Sequence, residues 1–180
     1  MYKLNKDKIL NNLPKNRVSI DIFEEIDSTN EECKRISLVN DFHVIIAEKQ
    51  TKGKGRLGKK WSSPPTGNIY MSFSTEKDLS LGPISLLTGL ICKKSIDEMI
   101  LDKSIGLKWP NDLILENKKI GGILVETETF DMKIRTIIGI GINLNLPKKE
   151  SWWGDLSKFK LDDDREILIN KIIIRLISMI

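Results

Sequence analysis

Apolar and polar positions along the chain change period several times, and each change marks an element. Residues 19–26 alternate as a strand does. Ser28 and Thr29 then offer a helix N-cap, and Ser28–Glu31 and Thr29–Glu32 both have capping-box spacing, which predicts a helix to about Val39. Residues 44–49 form a second strand. From position 50 to 66 the apolar pattern disappears, which predicts a long loop rich in glycine, lysine and proline. Residues 68–74 resume as a strand, with Ile69, Met71 and Phe73 on one face.

Pro83 opens a helix that runs through Leu86, Leu90 and Ile96 to about Leu101. Three short strands follow at 106–109, 113–116 and 119–127, with Asn117-Lys118 as the hairpin turn between the last two. Phe130-Asp131-Met132 turns the chain into a strand over 133–144. After a polar stretch around Trp152 and Trp153, residues 162–164 cap a final helix that reaches Ile180. The sum predicts an α/β (α+β) fold: a mixed, mainly antiparallel sheet with helices on one face. The hairpins of the second half argue against a doubly wound nucleotide fold.

Length bounds this picture at one domain, residues 1–180. With 40% hydrophobic and 30% charged residues the chain has the profile of a folded protein. The net charge of +4, from 29 basic and 25 acidic residues, is too mild to argue for DNA or RNA. Cys33 and Cys92 stand far apart without a CxxC, so neither a disulfide framework nor a zinc site is expected. The single histidine, His43, precedes an apolar run and reads as part of a strand rather than as a catalyst. No apolar h-region follows Met1, and Asn170, Lys171 and Arg175 interrupt the most apolar stretch, so a cytoplasmic protein without a membrane span is expected.

Four constellations carry chemistry. The loop Gly53-Lys54-Gly55-Arg56-Leu57-Gly58-Lys59-Lys60-Trp61 combines a free backbone with cations, which suits a phosphate or carboxylate, and closes on a ring that can stack. Its spacing is not that of a Walker A loop; a solvated basic loop or a nucleic-acid patch is the competing reading. In the segment 106–113, strand alternation puts Lys108 on the face of Gly106, over a glycine floor, next to the tight turn Pro110-Asn111-Asp112. A surface lysine beside an ordinary turn explains the same residues.

In the strand 137–144, Gly139, Gly141 and Asn143 share one face and Ile138, Ile140 and Ile142 the other. Two glycines on one face suggest that something approaches the backbone closely, either a flat ring read at its edge by Asn143 or a neighbouring helix packed tightly there. Gly121-Gly122 on the preceding strand repeats that choice. Ser28-Thr29-Asn30 are sufficient as helix caps, and a helix N-terminus also favours an anion.

Together these segments resemble the catalytic domain of the biotin–protein ligases. The motifs are Asp27-Ser28-Thr29-Asn30, residues 48–61 with the core GKGRLGKKW, Lys108-Trp109-Pro110-Asn111-Asp112, Lys119-Ile120-Gly121-Gly122-Ile123-Leu124-Val125-Glu126 and Gly139-Ile140-Gly141-Ile142-Asn143-Leu144, in the family's order over about residues 20–180. The resemblance implies a fold related to class II aminoacyl-tRNA synthetases. It implies that biotin and ATP give biotinyl-5′-AMP and pyrophosphate, and that biotin then passes to the lysine of a biotin carboxyl carrier protein.

It also implies roles. Ser28, Thr29, Asn30, Gln50, Gly53, Lys54, Arg56, Lys108 and Gly122 correspond to the biotin side, with Lys108 and Arg56 as the catalytic cations. Lys54, Arg56, Trp61, Asn111, Gly139, Gly141 and Asn143 correspond to the ATP and adenylate side, Trp61 covering the adenine and Asn143 reading it. Mg²⁺ is expected mainly on the ATP phosphates.

Three departures from the family pattern stand out. Lys54 and Lys59 replace arginines, which removes a planar two-pronged contact. No helix-turn-helix precedes residue 20, so repressor activity and DNA binding are not expected. The small β-barrel domain that usually follows is not seen, and the apolar helix from Asp164 to Ile180 then wants cover from a partner, such as a second copy. A lipoate-type ligase shares fold and chemistry, but its RR start and following histidine are not visible. A nucleic-acid module leaves the Gly139/Gly141/Asn143 face unexplained, and a weakened biotin or adenylate binder is the remaining alternative.

Overall fold

The computed structural model describes residues 4–79, 82–101, 103–130, 132–147, 150–161 and 164–180. Seven strands form one sheet: β1 (Val18–Ile26), β2 (Phe42–Gln50), β3 (Ile69–Thr75), β4 (Gly106–Lys108), β5 (Asp112–Leu115), β6 (Lys118–Phe130) and β7 (Lys133–Ile142). Their order is β1-β2-β3-β7-β6-β5-β4. β1 and β2 run parallel and every other pair is antiparallel, so the mixed, mainly antiparallel sheet is as expected. Four helices accompany it: α1 (Lys6–Ile9), α2 (Thr29–Arg35), α3 (Ile84–Asp97) and α4 (Arg165–Met179).

The helices lie on both faces of the sheet, not on one. The larger core puts Val44, Ile46, Met71, Phe73, Ile138 and Ile140 against α4 through Leu168, Ile169, Ile172 and Ile173. On the opposite face Cys33 of α2 packs with Ile45 and Ile137. β2 and β3 are therefore buried on both sides, from Phe42 to Ala47 and along all of β3. That double burial is why Ile69, Met71 and Phe73 carry only half of the packing of their strand. α4 finds its cover within the chain, against α1, α3 and β3, and Ile167 remains half-exposed.

Several boundaries differ from the periodicity. α2 ends at Arg35, and Ser28 holds the N-cap position without a side-chain cap. Neither capping box forms, because Glu31 turns to Lys34 and Lys54 while Glu32 pairs with Arg35. Leu86 and Leu90 of α3 face solvent. The β5–β6 turn sits at Glu116-Asn117, one residue earlier than expected, both with positive φ (51° and 63°), as a two-residue hairpin of the I′ kind requires. Asp131, Asp162 and Asp163 lie outside the described residues; Asp164 is the N-cap of α4 without a side-chain cap bond. Among the described residues no helix is long and apolar enough to cross a membrane.

Candidate functional site

The face of the sheet that carries α2 is stripped of side chains in its centre, and a cavity of about 260 Å³ opens there. α2 starts directly above β3 and β7. Ser28, Thr29 and Asn30, at its start, are all buried, and Thr29 and Asn30 hang on a continuous chain of hydrogen bonds. Asn30 Nδ2 donates to Glu126 Oε2 (2.7 Å), and Ser72 Oγ lies 2.5 Å from Asn30 Oδ1 and 2.7 Å from Thr29 Oγ1. Gln50 Oε1 accepts from the Thr29 amide at 2.9 Å, and Gln50 Nε2 donates to Ser63 Oγ at 2.8 Å. Buried polar groups that are fully paired are rigid, so this end of the cavity is pre-formed.

The two glycines of β7 are explained by the protein's own side chains. A Cβ on Gly139 would strike Asn30, and one on Gly141 would lie 2.6–2.7 Å from the Trp61 ring. Trp61 therefore lies flat against the glycine floor of β7, and Gly122 of β6 meets the same ring, its missing Cβ being 3.1 Å away. The close approach expected over the glycines is made by Asn30 of α2 and by the Trp61 indole. Asn143, at the end of this strand, is buried and its Nδ2 donates to Gly154 O at 3.1 Å.

The basic loop folds back on itself above this floor. Lys54 bridges to Lys60, the Gly55 amide donates to Lys59 O (2.7 Å), and the Trp61 amide donates to Gly53 O (2.9 Å). Gly53 is needed because a Cβ there would meet Trp61 O at 2.5 Å; it stands behind the cavity wall rather than on it. The tip, Arg56–Gly58, is a single 3-10 turn, with Leu57 at a φ of 55° and almost wholly exposed. Two side chains moor the loop. Lys54 pairs with Glu31 of α2, and Arg56 Nη1 reaches Asn111 Oδ1 at 3.3 Å. Asn111 is itself fixed by donating to Ile123 O at 2.9 Å. Lys34 and Lys54 hold the Glu31 carboxyl below its ordinary range. Burial works against the Lys34 charge, but Glu31 and Glu126 outweigh it and its pKa is raised.

Lys108, expected on the face of Gly106, is not among the residues that line this cavity. Lys108 is exposed at the end of the sheet-edge strand β4 and borders a separate shallow groove, outside the lining of the cavity. Of the lysines that line the cavity, Lys54, Lys59 and Lys60 belong to the loop and Lys119 comes from the sheet, on β6. Its Nζ is 2.7 Å from Asp112 Oδ1 and 5.3 Å from the centre of the Trp61 ring. Strict alternation along β6 puts Lys119 on the face opposite Gly122. The structure has Gly121 opposite Leu113 but Lys119 opposite Ile114, so β6 carries one extra residue. Such a bulge re-aims a side chain, and Lys119 thereby approaches Gly122, whose missing Cβ would lie 3.5 Å from its Nζ. Sequence reasoning also passed over Ser72, Glu126, Trp152 and Trp153; the tryptophans line the cavity from the segment after β7. The signal was present in Lys119 and Glu126, which flank a glycine pair within one motif.

The Biotin/lipoate A/B protein ligase family matches over residues 22–145. The chain belongs to that family. Within the biotin/lipoate ligases it is 34% identical, over 185 residues, to the bifunctional ligase/repressor BirA of Salmonella typhimurium, covering 96% of this chain and 56% of that protein. The chain thus spans about half the length of such curated relatives. Among solved structures, the biotin protein ligase of Aquifex aeolicus in complex with biotin and ATP aligns with a TM-score of 0.70 at 30% identity, covering 87% of this chain and 68% of that one. The biotin protein ligase of Leishmania major in complex with biotinyl-5-AMP aligns with a TM-score of 0.72 at 28% identity, covering 89% and 74%. The family match ends just before the segment that brings Trp152 and Trp153 to the cavity.

Proposed function

We propose that this chain is the catalytic domain of a biotin–protein ligase, converting biotin and ATP to biotinyl-5′-AMP and pyrophosphate and then biotinylating a lysine of a biotin carboxyl carrier protein. The observation that carries the reading is one cavity in which a buried polar end, a glycine floor and a folded basic loop meet Lys119 and Arg56. The polar end of Ser28, Thr29, Asn30 and Gln50 offers the donors and acceptors that a fused ureido ring needs. The end of Gly139, Gly141, Asn143 and Trp61, with Trp152 and Trp153 beside it, suits a purine, with Trp61 moving off the floor to cover the base.

A carboxylate is a nucleophile at neutral pH, so adenylation needs no general base. Its barrier is the approach of two anions and the charge that grows on the α-phosphate, which preorganised cations lower. Lys119 takes the role that the sequence first assigned to Lys108, because it stands at the junction of the two ends; Arg56 and Lys54 approach from the loop. Among the described residues no three His, Cys, Asp or Glu side chains gather into a metal site. Asp112, the carboxylate on the cavity wall, is already paired with Lys119. These residues fit a Mg²⁺ that arrives on ATP, where it neutralises phosphate charge. A closed loop keeps water from the mixed anhydride. The use of ATP and the two free thiols, Cys33 and Cys92, support a cytoplasmic setting.

ATP–pyrophosphate exchange with biotin, lipoate or no acid tests the proposal. Exchange with biotin alone is expected. Exchange with lipoate alone, or with neither acid from a folded sample, overturns it.

A further inference from the structure

Behind the purine end of the cavity, outside its lining, stands one buried amide that joins two separate stretches of wall. Asn68 precedes β3 and is 1% exposed. Its Oδ1 accepts from the amides of Leu144 and Asn145, each at 2.8 Å. Its Nδ2 donates to Thr66 Oγ1 (3.0 Å) and to Tyr70 Oη (2.9 Å). Both lone pairs and both protons of the amide are therefore used. The two partners extend the tie: Thr66 Oγ1 donates to Asn145 O at 2.7 Å and Tyr70 Oη to Pro64 O at 3.0 Å.

The geometry of these bonds fixes both ends of a cavity-lining segment. Asn68 holds residues 144 and 145, where the chain leaves β7. Ten residues on, Asn143 holds the return, its Nδ2 donating to Gly154 O and its own carbonyl accepting from the Leu156 amide at 3.0 Å. Between these pegs lie Leu146, Trp152 and Trp153, which face the cavity; the two tryptophans are also held to β6, where the Lys119 amide donates to Trp152 O (3.0 Å) and the Gly154 amide to Lys119 O (2.8 Å). On its other side Asn68 holds 64–66, the stretch that follows the lining residues Trp61 and Ser62. No other residue type of this size offers two acceptor and two donor positions with which to hold both stretches.

We infer that Asn68 is a positioning residue for nucleotide binding: it ties the stretch that follows Trp61 to the chain that leaves β7 toward Leu146, and so fixes the purine end without touching the ligand. The inference rests on the ligase reading for the identity of the ligand, an adenine nucleotide. The biotin end hangs on a different network, through Gln50, Thr29, Ser72 and Asn30, so loss of the Asn68 clasp separates the two ligands.

The test compares wild type, Asn68→Ala and Thr66→Val. ATP and biotin binding are measured separately by calorimetry, the ATP KM by pyrophosphate exchange, and the protection of the 144, 145 and 156 amides by hydrogen exchange. Asn68→Ala is expected to raise the ATP Kd and KM about ten-fold or more, with the biotin Kd within about two-fold and the three amides deprotected. Thr66→Val, at a partly exposed site that keeps the fold if Asn68→Ala does not, is expected to shift ATP the same way by about three-fold. Equal losses of both ligands, or amides deprotected with an unchanged ATP KM, overturn the inference. A wild type that binds ATP without biotin-dependent exchange sinks the ligase reading alone; one that binds no nucleotide sinks both.

Discussion

The Lys119 ammonium lies 2.7 Å from the Asp112 carboxylate across the β5–β6 ladder, on the cavity wall. This pairing holds the cation in place before any anion arrives and gives it a partner to exchange for a phosphate. Lys119→Ala is accordingly expected to cost about 10²–10³-fold in adenylation, the range for removing one preorganised group from a developing charge. Lys108→Ala, at the exposed end of β4, is expected to stay within about three-fold. Pyrophosphate exchange and thermal unfolding on both variants check this; a larger loss for Lys108→Ala returns the role to Lys108.

Gly141 and Trp61 supply the second prediction. A Cβ at position 141 would sit 2.6–2.7 Å from ring atoms of Trp61, inside any real carbon contact. Gly141→Ala therefore drives the indole off the floor. The expected result is an emission shift toward that of an exposed tryptophan, absent in a Trp61→Phe background, together with weaker nucleotide binding by about ten-fold, because the added methyl also occupies the floor on which the base would lie. An unshifted emission spectrum means that Trp61 does not rest on β7 in solution.

How much of this was legible in the sequence depended on whether period alone decided the matter. The antiparallel hairpins and the two-faced strand β7 follow from alternation, which backbone pleating enforces. The bare face at Gly139 and Gly141 was legible as a close approach; what approaches was not, because Asn30 and Trp61 arrive from 109 and 80 residues away. Lys119 was missed for a local reason. One extra residue in β6 reverses the facing that alternation assigns, and a bulge leaves no mark in hydrophobic period. The placement of α2 on the second face was missed because buried residues of β3 on that face, Ser72 and Ser74, are polar, and alternation reads polar positions as facing solvent. On β2 the run Val44-Ile45-Ile46-Ala47 says that the strand is covered twice, and only the position of α2 says by what.

Asp27 and Arg35 tie the start of α2 to its end. The Arg35 guanidinium, with the Ser28 amide bond adding to it, lowers the Asp27 carboxyl from 3.8 to about 2. A carboxyl depressed on folding contributes stability that is full above its unfolded pKa and is lost as pH falls through the folded one. The window runs from about pH 4 down to about 2. Asp27→Asn is expected to flatten that part of the curve of stability against pH, measured by urea unfolding, and to leave the slope above pH 5 unchanged. The pair is largely solvent-exposed, so the effect is small and salt weakens it.

The last prediction concerns Glu48 and Arg165, which join β2 to α4 in the interior. Arg165 is 2% exposed, and its two nitrogens meet the two Glu48 oxygens at 2.7 and 2.8 Å. Glu48 also accepts from the Leu4 amide, and Arg165 reaches Asn68 O at 3.3 Å. The pair thus anchors the N-terminal segment, the floor of the sheet and the final helix at one point. Charges taken from water recover their desolvation cost only when both are present, so removing one leaves the other stranded. Arg165→Met is expected to destabilise the fold by about 3–5 kcal/mol, while Arg165→Met with Glu48→Leu recovers a large part of that loss. Denaturant unfolding of the two single variants and the double variant measures the coupling directly. Losses that simply add would mean that the two side chains are held by other neighbours and not by each other. Because Glu48 lies two residues before Gln50 on β2, the single variants should also weaken biotin binding, and the double variant should restore it in step with stability.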